Sequence, residues 1–208
     1  MNMGEPQGID TRAGAIVTAR SLRILLDSPR PAANFGRMRT PMLILSGPVA
    51  AGKSTVAREL VRLLTDDVVL IEGDVFWSFF VKGVRGPTQK SFRTIMSAMT
   101  AAAIPYATGG SQVILDFSIP PWFLDTVKKI AGARDVPVDY VVLRPSETVC
   151  AQRAKSRTDG SIADYTRYSE LYRDFDQVAR HIVCDDDLSA ADTAAVIARG
   201  VAEGRFRL

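Results

Sequence analysis

The nine residues Gly47-Pro48-Val49-Ala50-Ala51-Gly52-Lys53-Ser54-Thr55 constrain this chain more than any other segment. They fill every fixed position of the pattern G-x-x-x-x-G-K-[ST]. Glycines let the backbone curl so that successive N–H groups face inward on an anion. A helix that begins near Lys53 aims its positive dipole end at the same point. Lys53 is then placed to reach β- and γ-phosphates, and the Ser54 hydroxyl to bind Mg²⁺. The flanks supply the context the motif needs. The apolar run Met42–Ser46 precedes the loop, and Val56, Leu60, Val61 and Leu64 follow at helical spacing. The expectation is that Gly47 to Thr55 hold the phosphates of ATP or a close relative.

Beyond the loop, apolar runs alternate with helical patterns. Strands are expected at Met42–Ser46, Val68–Ile71, Gln112–Asp116, Val138–Leu143 and His181–Cys184. Helices are expected over Ser54–Leu64, Lys90–Thr108, Pro121–Gly132, Ser146–Lys155, Ala163–Ala179 and Ser189–Ala202, with Gly109-Gly110 stopping the second and Ser146 capping the fourth. Short, nearly continuous apolar strands separated by helices mean a buried parallel sheet covered on both faces, an α/β/α three-layer fold.

Charge separates the N-terminal stretch from the rest. Residues 1–39 hold six Arg and three acids, so they carry the whole net charge of +3, and the remainder is neutral. That stretch, rich in Gly, Pro and Arg, reads as an appended arm that is partly disordered, with residues 40–208 as the catalytic domain. A neutral body argues against nucleic acid as a partner. Two cysteines and one histidine make neither a disulfide scaffold nor a multi-histidine metal site. The longest apolar runs are too short to span a membrane, and no secretory leader pattern is present, so a cytoplasmic location is expected.

Three further places carry chemistry. Gln112-Val113-Ile114-Leu115-Asp116 is an apolar run ending in a carboxylate, which suits Mg²⁺ binding or simply a strand-end turn. The next residue is Phe117 rather than the Glu that activates water in many ATPases, which argues against steady hydrolysis. The second strand leads through Gly73, which allows close chain approach, to Asp74. Asp74 is placed either to take a hydroxyl proton from an acceptor or to cap a helix. Phe76, Trp77, Phe79 and Phe80 follow, as an apolar wall of a small-molecule pocket or the buried face of a helix. Arg153 and Arg157, four apart, would share one helical face and suit phosphate oxygens, or else complement a helix end. Thr158-Asp159-Gly160-Ser161 reads as a short mobile loop. Neither an Asn-Lys-x-Asp guanine reader nor a Leu-Ser-Gly-Gly signature occurs.

Taken in order with Tyr172-Arg173-Asp174-Phe175, these pieces resemble the small P-loop kinases, adenylate-kinase-like and gluconate-kinase-like, and among them the chloramphenicol phosphotransferase-like group. The resemblance covers roughly residues 41–200, and only the phosphate loop in it is highly specific. It implies a five-stranded parallel sheet of order 2-3-1-4-5, a substrate-binding helical insert around 75–108 and a short lid around 153–161. By position it makes Lys53 and Ser54 the phosphate and Mg²⁺ residues, Asp74 the base or acceptor-orienting group, and Arg153 and Arg157 lid arginines. It also places Ser189 near the base of the nucleotide. The implied activity is transfer of the γ-phosphate of ATP, with Mg²⁺, to a hydroxyl of a small molecule. Phosphorylation of a nucleic-acid end and a nucleotide-gated binding module are the competing readings. The acceptor itself matches no motif.

Overall fold

The computed structural model describes residues 41–65, 67–83, 88–158, 160–184 and 186–208. The arm expected over residues 1–39 lies outside the described residues. Strands β1 (Met42–Ser46), β2 (Val68–Glu72), β3 (Gln112–Asp116), β4 (Val138–Leu143) and β5 (Ile182–Val183) form one sheet. Their order is β2-β3-β1-β4-β5, and every pairing is parallel. The helices are α1 (Lys53–Leu63), α2 (Gln89–Gly109), α3 (Leu124–Gly132), α4 (Glu147–Lys155), α5 (Ser169–Asp174) and α6 (Ala190–Ala202).

Strand periodicity divides the core into two layers. Successive side chains point to opposite faces. Met42 and Ile44 of β1 therefore join Val113, Leu115, Val138 and Tyr140 on one face, under α2 and α3. Leu43 and Leu45 join Ile114, Val141 and Leu143 on the other, under α1, α4 and α6. Both β1 and β4 are buried along their whole length, which is why they read as nearly continuous apolar runs, broken in β4 by the buried Asp139. In register, Met42 stands beside Val113 and Val138, so the carboxyl ends of β1 and β3 finish together at one edge.

Helix ends follow from side-chain chemistry. Thr88 and Ser91 form a reciprocal capping box at the start of α2, and Gly110 closes it in the left-handed region at φ 100°. Ser146 and Ser189 cap α4 and α6 through their hydroxyls. At the C-terminus Phe206 is fully buried, and Arg207 pairs with the buried Asp139 of β4.

Three expectations change. The helix expected over Ala163–Ala179 is broken into a 3-10 turn (Thr166–Tyr168), α5 and a second 3-10 helix (Phe175–His181). Its tyrosines are anchored elsewhere: the Tyr165 hydroxyl donates to the Val49 carbonyl at 2.8 Å and the Tyr172 hydroxyl to the Pro145 carbonyl at 2.9 Å. Two anchors on loops at the sheet edge bend the segment around that edge, and Val178 leaves helical geometry altogether. The fifth strand is only Ile182–Val183, because His181 ends the preceding 3-10 helix and turns its ring onto the Tyr140 carbonyl. Pro121–Phe123 is a 3-10 turn, and the α-helix starts only at Leu124.

Among the described residues no helix is long and apolar enough to cross a membrane.

Candidate nucleotide and acceptor site

The loop between β1 and α1 adopts backbone shapes that explain its residues. Gly47 sits at φ +139°, and a Cβ there would lie 2.2 Å from the Leu143 carbonyl oxygen. Gly52 holds φ 96° as the N-cap of α1, with no side chain capping the helix, so its first N–H groups remain for another partner. Ala50 also lies in the left-handed region, at φ 63°. For a residue with a Cβ that costs about 1 kcal/mol, so the surroundings must hold the loop in shape. They hold it by its carbonyls. Ser118 donates to Gly47 O at 2.8 Å, Tyr165 to Val49 O at 2.8 Å and Arg153 to Ala51 O at 3.2 Å. The Lys53 ammonium donates to Gly47 O at 3.2 Å and Pro48 O at 2.9 Å.

The turn after β3 is stitched to β1. The Ser46 hydroxyl donates to Ile119 O at 2.8 Å and accepts from the Ile119 N–H at 2.9 Å, while Tyr140 donates to the same carbonyl at 2.7 Å. That fixes Asp116, which is 6% exposed, beside the phosphate loop. The Ser54 hydroxyl and the Lys53 ammonium both favour its charged form. Burial pushes the Asp116 carboxyl up, with Asp74 and Glu72 adding repulsion, against the opposing pull of Ser54 and Lys53. Burial likewise pushes the Lys53 ammonium down, helped by Arg157, while Asp116 and Asp74 pull it up. The four charged groups Lys53, Asp74, Asp116 and Arg157 therefore act on one another across a single space.

That space is a cavity of about 600 Å³. Of the residues singled out in the sequence, Val49, Ala50, Gly52, Lys53, Ser54, Thr55, Asp74, Trp77, Asp116 and Arg157 line it. Gly47, Pro48 and Ala51 are buried behind the loop. Asp74 is exposed within the 3-10 helix Gly73–Phe79, and it makes no side-chain cap there. Gly73 does permit close approach: a Cβ on it would meet Phe117 at 2.6 Å.

Two placements differ from expectation. Of the aromatic stretch, Trp77 reaches the cavity, while Phe76 and Phe80 pack against the apolar layer under α2. A 3-10 helix turns three residues per revolution, so Phe76 points away from the Trp77 face, while Phe80 stacks beside Trp77 with centroids 6.2 Å apart. Arg153 and Arg157 do not share a helical face, because α4 ends at Lys155 and Ser156 closes it. Arg157 lines the cavity, whereas Arg153 stands outside it and braces Ala51.

Sequence reasoning missed much of the remaining wall: Gln89 and Phe92 of α2, Phe117 itself, Trp122, and Glu170 and Asp174 of α5. The available signals were the Pro120-Pro121-Trp122 turn just past a strand end and the four-residue spacing of Glu170 and Asp174.

A parallel sheet of this order with a G-x-x-x-x-G-K-[ST] loop at its carboxyl edge defines a P-loop protein with the fold of the small kinases. Residues 42–181 match the AAA domain family, and the chain belongs to it. Shikimate kinases of Pasteurella multocida and Aliivibrio fischeri are 34% and 35% identical to it over 80 residues. Each alignment covers 35% of this chain and 46% of the relative, so the chain spans about half the length of the curated relatives it matches. The tunicamycin resistance protein of Deinococcus radiodurans superposes with a TM-score of 0.63 at 18% identity, over 78% of this chain and 96% of that one. The Mycobacterium tuberculosis APS kinase CysC, solved with AMPPNP and APS, superposes with a TM-score of 0.62 at 15% identity, over 79% of this chain and 98% of that one.

Proposed function

We propose that this protein is an ATP-dependent kinase that transfers the γ-phosphate to a hydroxyl group of a small molecule. The observation that carries the reading is the single cavity shared by Lys53 and Ser54 of the phosphate loop, Asp116 of β3 and Asp74 beyond β2. Catalysis of this transfer rests mostly on positioning and charge neutralisation. The acceptor hydroxyl oxygen forms a bond to the γ-phosphorus. The bond from that phosphorus to the β–γ bridging oxygen breaks, and its electron pair leaves with ADP. The hydroxyl proton passes to the Asp74 carboxylate, which stands exposed to the cavity. Lys53 and Arg157 offset the negative charge of the transferred group, and Arg153 acts indirectly, as a brace on the loop.

Mg²⁺ suits the residues present. Asp116 and Ser54 offer hard oxygen donors to the same cavity, and a divalent cation would relieve the burial and repulsion acting on Asp116. Ser54 and Asp116 would hold the ion, and bound there it would neutralise charge on phosphate oxygens. Phe117, 5% exposed, occupies the position after Asp116, so no carboxylate stands there to activate water. The same reading takes residues 40–208 as the catalytic unit, residues 1–39 as an arm, and the cytoplasm as the location.

The test is ADP release by the purified protein with Mg²⁺ and ATP across sugars, sugar acids, nucleosides, aminoglycosides, aryl alcohols and short oligonucleotides. The reading expects one small-molecule class to raise the rate well above the water background. ATP binding without stimulation by any acceptor favours a nucleotide-gated binding module, and stimulation by oligonucleotides alone favours an end kinase.

A further inference from the structure

The acceptor half of the cavity has a character that phosphoryl transfer alone does not require. Trp77, Phe92 and Phe117 form a continuous aromatic wall. Trp77 meets Phe92 edge-on with centroids 5.1 Å apart, and Phe92 lies 6.2 Å from Phe117. Trp122 also lines the cavity and is 44% exposed. Its indole stabilises the Asp174 carboxylate, and the Arg93 guanidinium lies 4.6 Å over its ring.

Next to this wall the charges do not balance. Four carboxylates line the cavity, from Asp74, Asp116, Glu170 and Asp174, against three cations, Lys53, Arg157 and Arg167. The kinase reading uses Lys53 and Arg157 on phosphate, Asp116 on Mg²⁺ and Asp74 on the hydroxyl. Glu170 and Asp174 are left. They stand four residues apart, the spacing that brings side chains together on a helix, and the ion pairs among the described residues include neither of them. Burial and the neighbouring Glu170 push the Asp174 carboxyl up, with only the Trp122 indole opposing. Arg167 lies over the Tyr168 ring, 4.9 Å from its centroid.

We propose that the acceptor is an alcohol that also carries a protonated amine on an apolar or aryl body. The body lies against Trp77, Phe92 and Phe117, and the ammonium sits between Trp122 and the Glu170–Asp174 pair. With Arg93 already over the Trp122 ring, the ammonium gains chiefly from the two carboxylates. An anionic acceptor meets repulsion from the same carboxylates. The inference rests on the kinase reading for which half of the cavity takes the acceptor.

The chain has two tryptophans, and both line the cavity, so intrinsic fluorescence reports this site selectively. Three probes of nearly equal shape separate the charge effect from the apolar one: 2-amino-1-phenylethanol, 1-phenylethane-1,2-diol and mandelate, titrated at pH 7 with no nucleotide. The amine is expected to bind about tenfold more tightly than the diol, the scale of one charge-assisted hydrogen bond, and mandelate more weakly than either. The preference for the amine should fall to about parity in Glu170→Gln, an exposed position where the fold tolerates the change, and in Asp174→Asn. Equal binding of amine and diol, a preference that survives both variants, or absence of amine binding overturns the inference. Because binding is read without turnover, these results stand apart from ADP release. A protein that phosphorylates only neutral or anionic alcohols keeps the kinase reading and loses this one. A protein that prefers the amine but transfers no phosphate loses the kinase reading.

Discussion

Replacing Gly73 by alanine should damage this protein out of proportion to one methyl group. Gly73 begins the turn that carries Asp74, and its backbone lies against Phe117, the residue after Asp116. A Cβ at Gly73 would lie 2.6 Å from Phe117 Cδ2 and 2.7 Å from both its Cβ and Cγ. Carbon atoms in packed interiors stand about 3.5–4 Å apart, so something must move by roughly 1 Å. Phe117 is 5% exposed and held between Phe92 and the core. Even truncating its ring would leave its Cβ in the way. Overpacking of this kind costs about 1–3 kcal/mol. For a domain of this size that lowers Tm by about 2–4 °C for each kcal/mol. The same shift pulls Asp74 and Asp116 apart, so activity should fall together with stability. Gly132 provides the control. It ends α3, and a Cβ there meets nothing within 4 Å. Gly132→Ala should be neutral or gain up to about 1 kcal/mol, because alanine loses less entropy in a helix. Urea melts of the two variants beside the parent decide the matter. If Gly73→Ala lies within about 0.5 kcal/mol of the parent, or matches Gly132→Ala, the close approach of the two turns is not as described.

Further predictions concern stability, pH and the metal. Arg207→Ala removes the partner of Asp139, a fully buried carboxylate held at 2.9 Å by the Arg207 Nε. The loss should be about 2 kcal/mol, below the usual range for a broken buried pair because the guanidinium is partly exposed, and a melt unchanged within error would contradict it. His181 is the single histidine of the chain. Burial pushes its pKa below the ordinary 6.5, with Arg180 and Lys128 acting the same way against the Tyr140 carbonyl. The fold therefore favours the neutral ring. That contribution is complete above pH 6.5 and is lost as pH falls toward the folded-state value. His181→Asn should flatten stability against pH below that point in urea melts, and an unchanged slope would refute it. Ser54→Ala should raise the Mg²⁺ concentration needed for half-maximal turnover by about tenfold, the scale of one lost ligand hydrogen bond, with little change in the melt. An unaltered Mg²⁺ dependence would remove Ser54 from the metal site.

Legibility in the sequence followed the range of the interactions involved. The phosphate loop was readable because its chemistry is local: nine consecutive residues supply glycines, lysine and hydroxyl. The buried strands were readable because a parallel sheet covered on both faces favours nearly continuous apolar runs. Strand order was not available from spacing and came only through the resemblance to small P-loop kinases. The segment around Tyr165 and Tyr172 was misread as one helix because its path is set by hydrogen bonds to Val49 and Pro145, far away in sequence. Arg153 and Arg157 looked like a pair only on the assumption that α4 continued past Lys155. The cavity wall around Trp77 was the least visible part. Trp77, Phe92, Trp122 and Glu170 come from separate elements, and nothing in their local sequence separates a cavity wall from a buried face. Phe76 and Phe80 pack against the same apolar layer as Trp77, and only Trp77 also reaches the cavity, a difference their local sequence does not show.

Under the proposed function Asp74, which lines the same cavity as Lys53 and Ser54, takes the proton of the acceptor hydroxyl. The most direct test compares Asp74→Asn with the parent for the rate of phosphoryl transfer to the best acceptor, measured alongside ATP affinity. Loss of a general base predicts a fall in kcat of about 100-fold or more, with the Kd for ATP within a few-fold of the parent. Turnover retained within a few-fold would contradict the assignment of Asp74 and, with it, the proposed path of the proton.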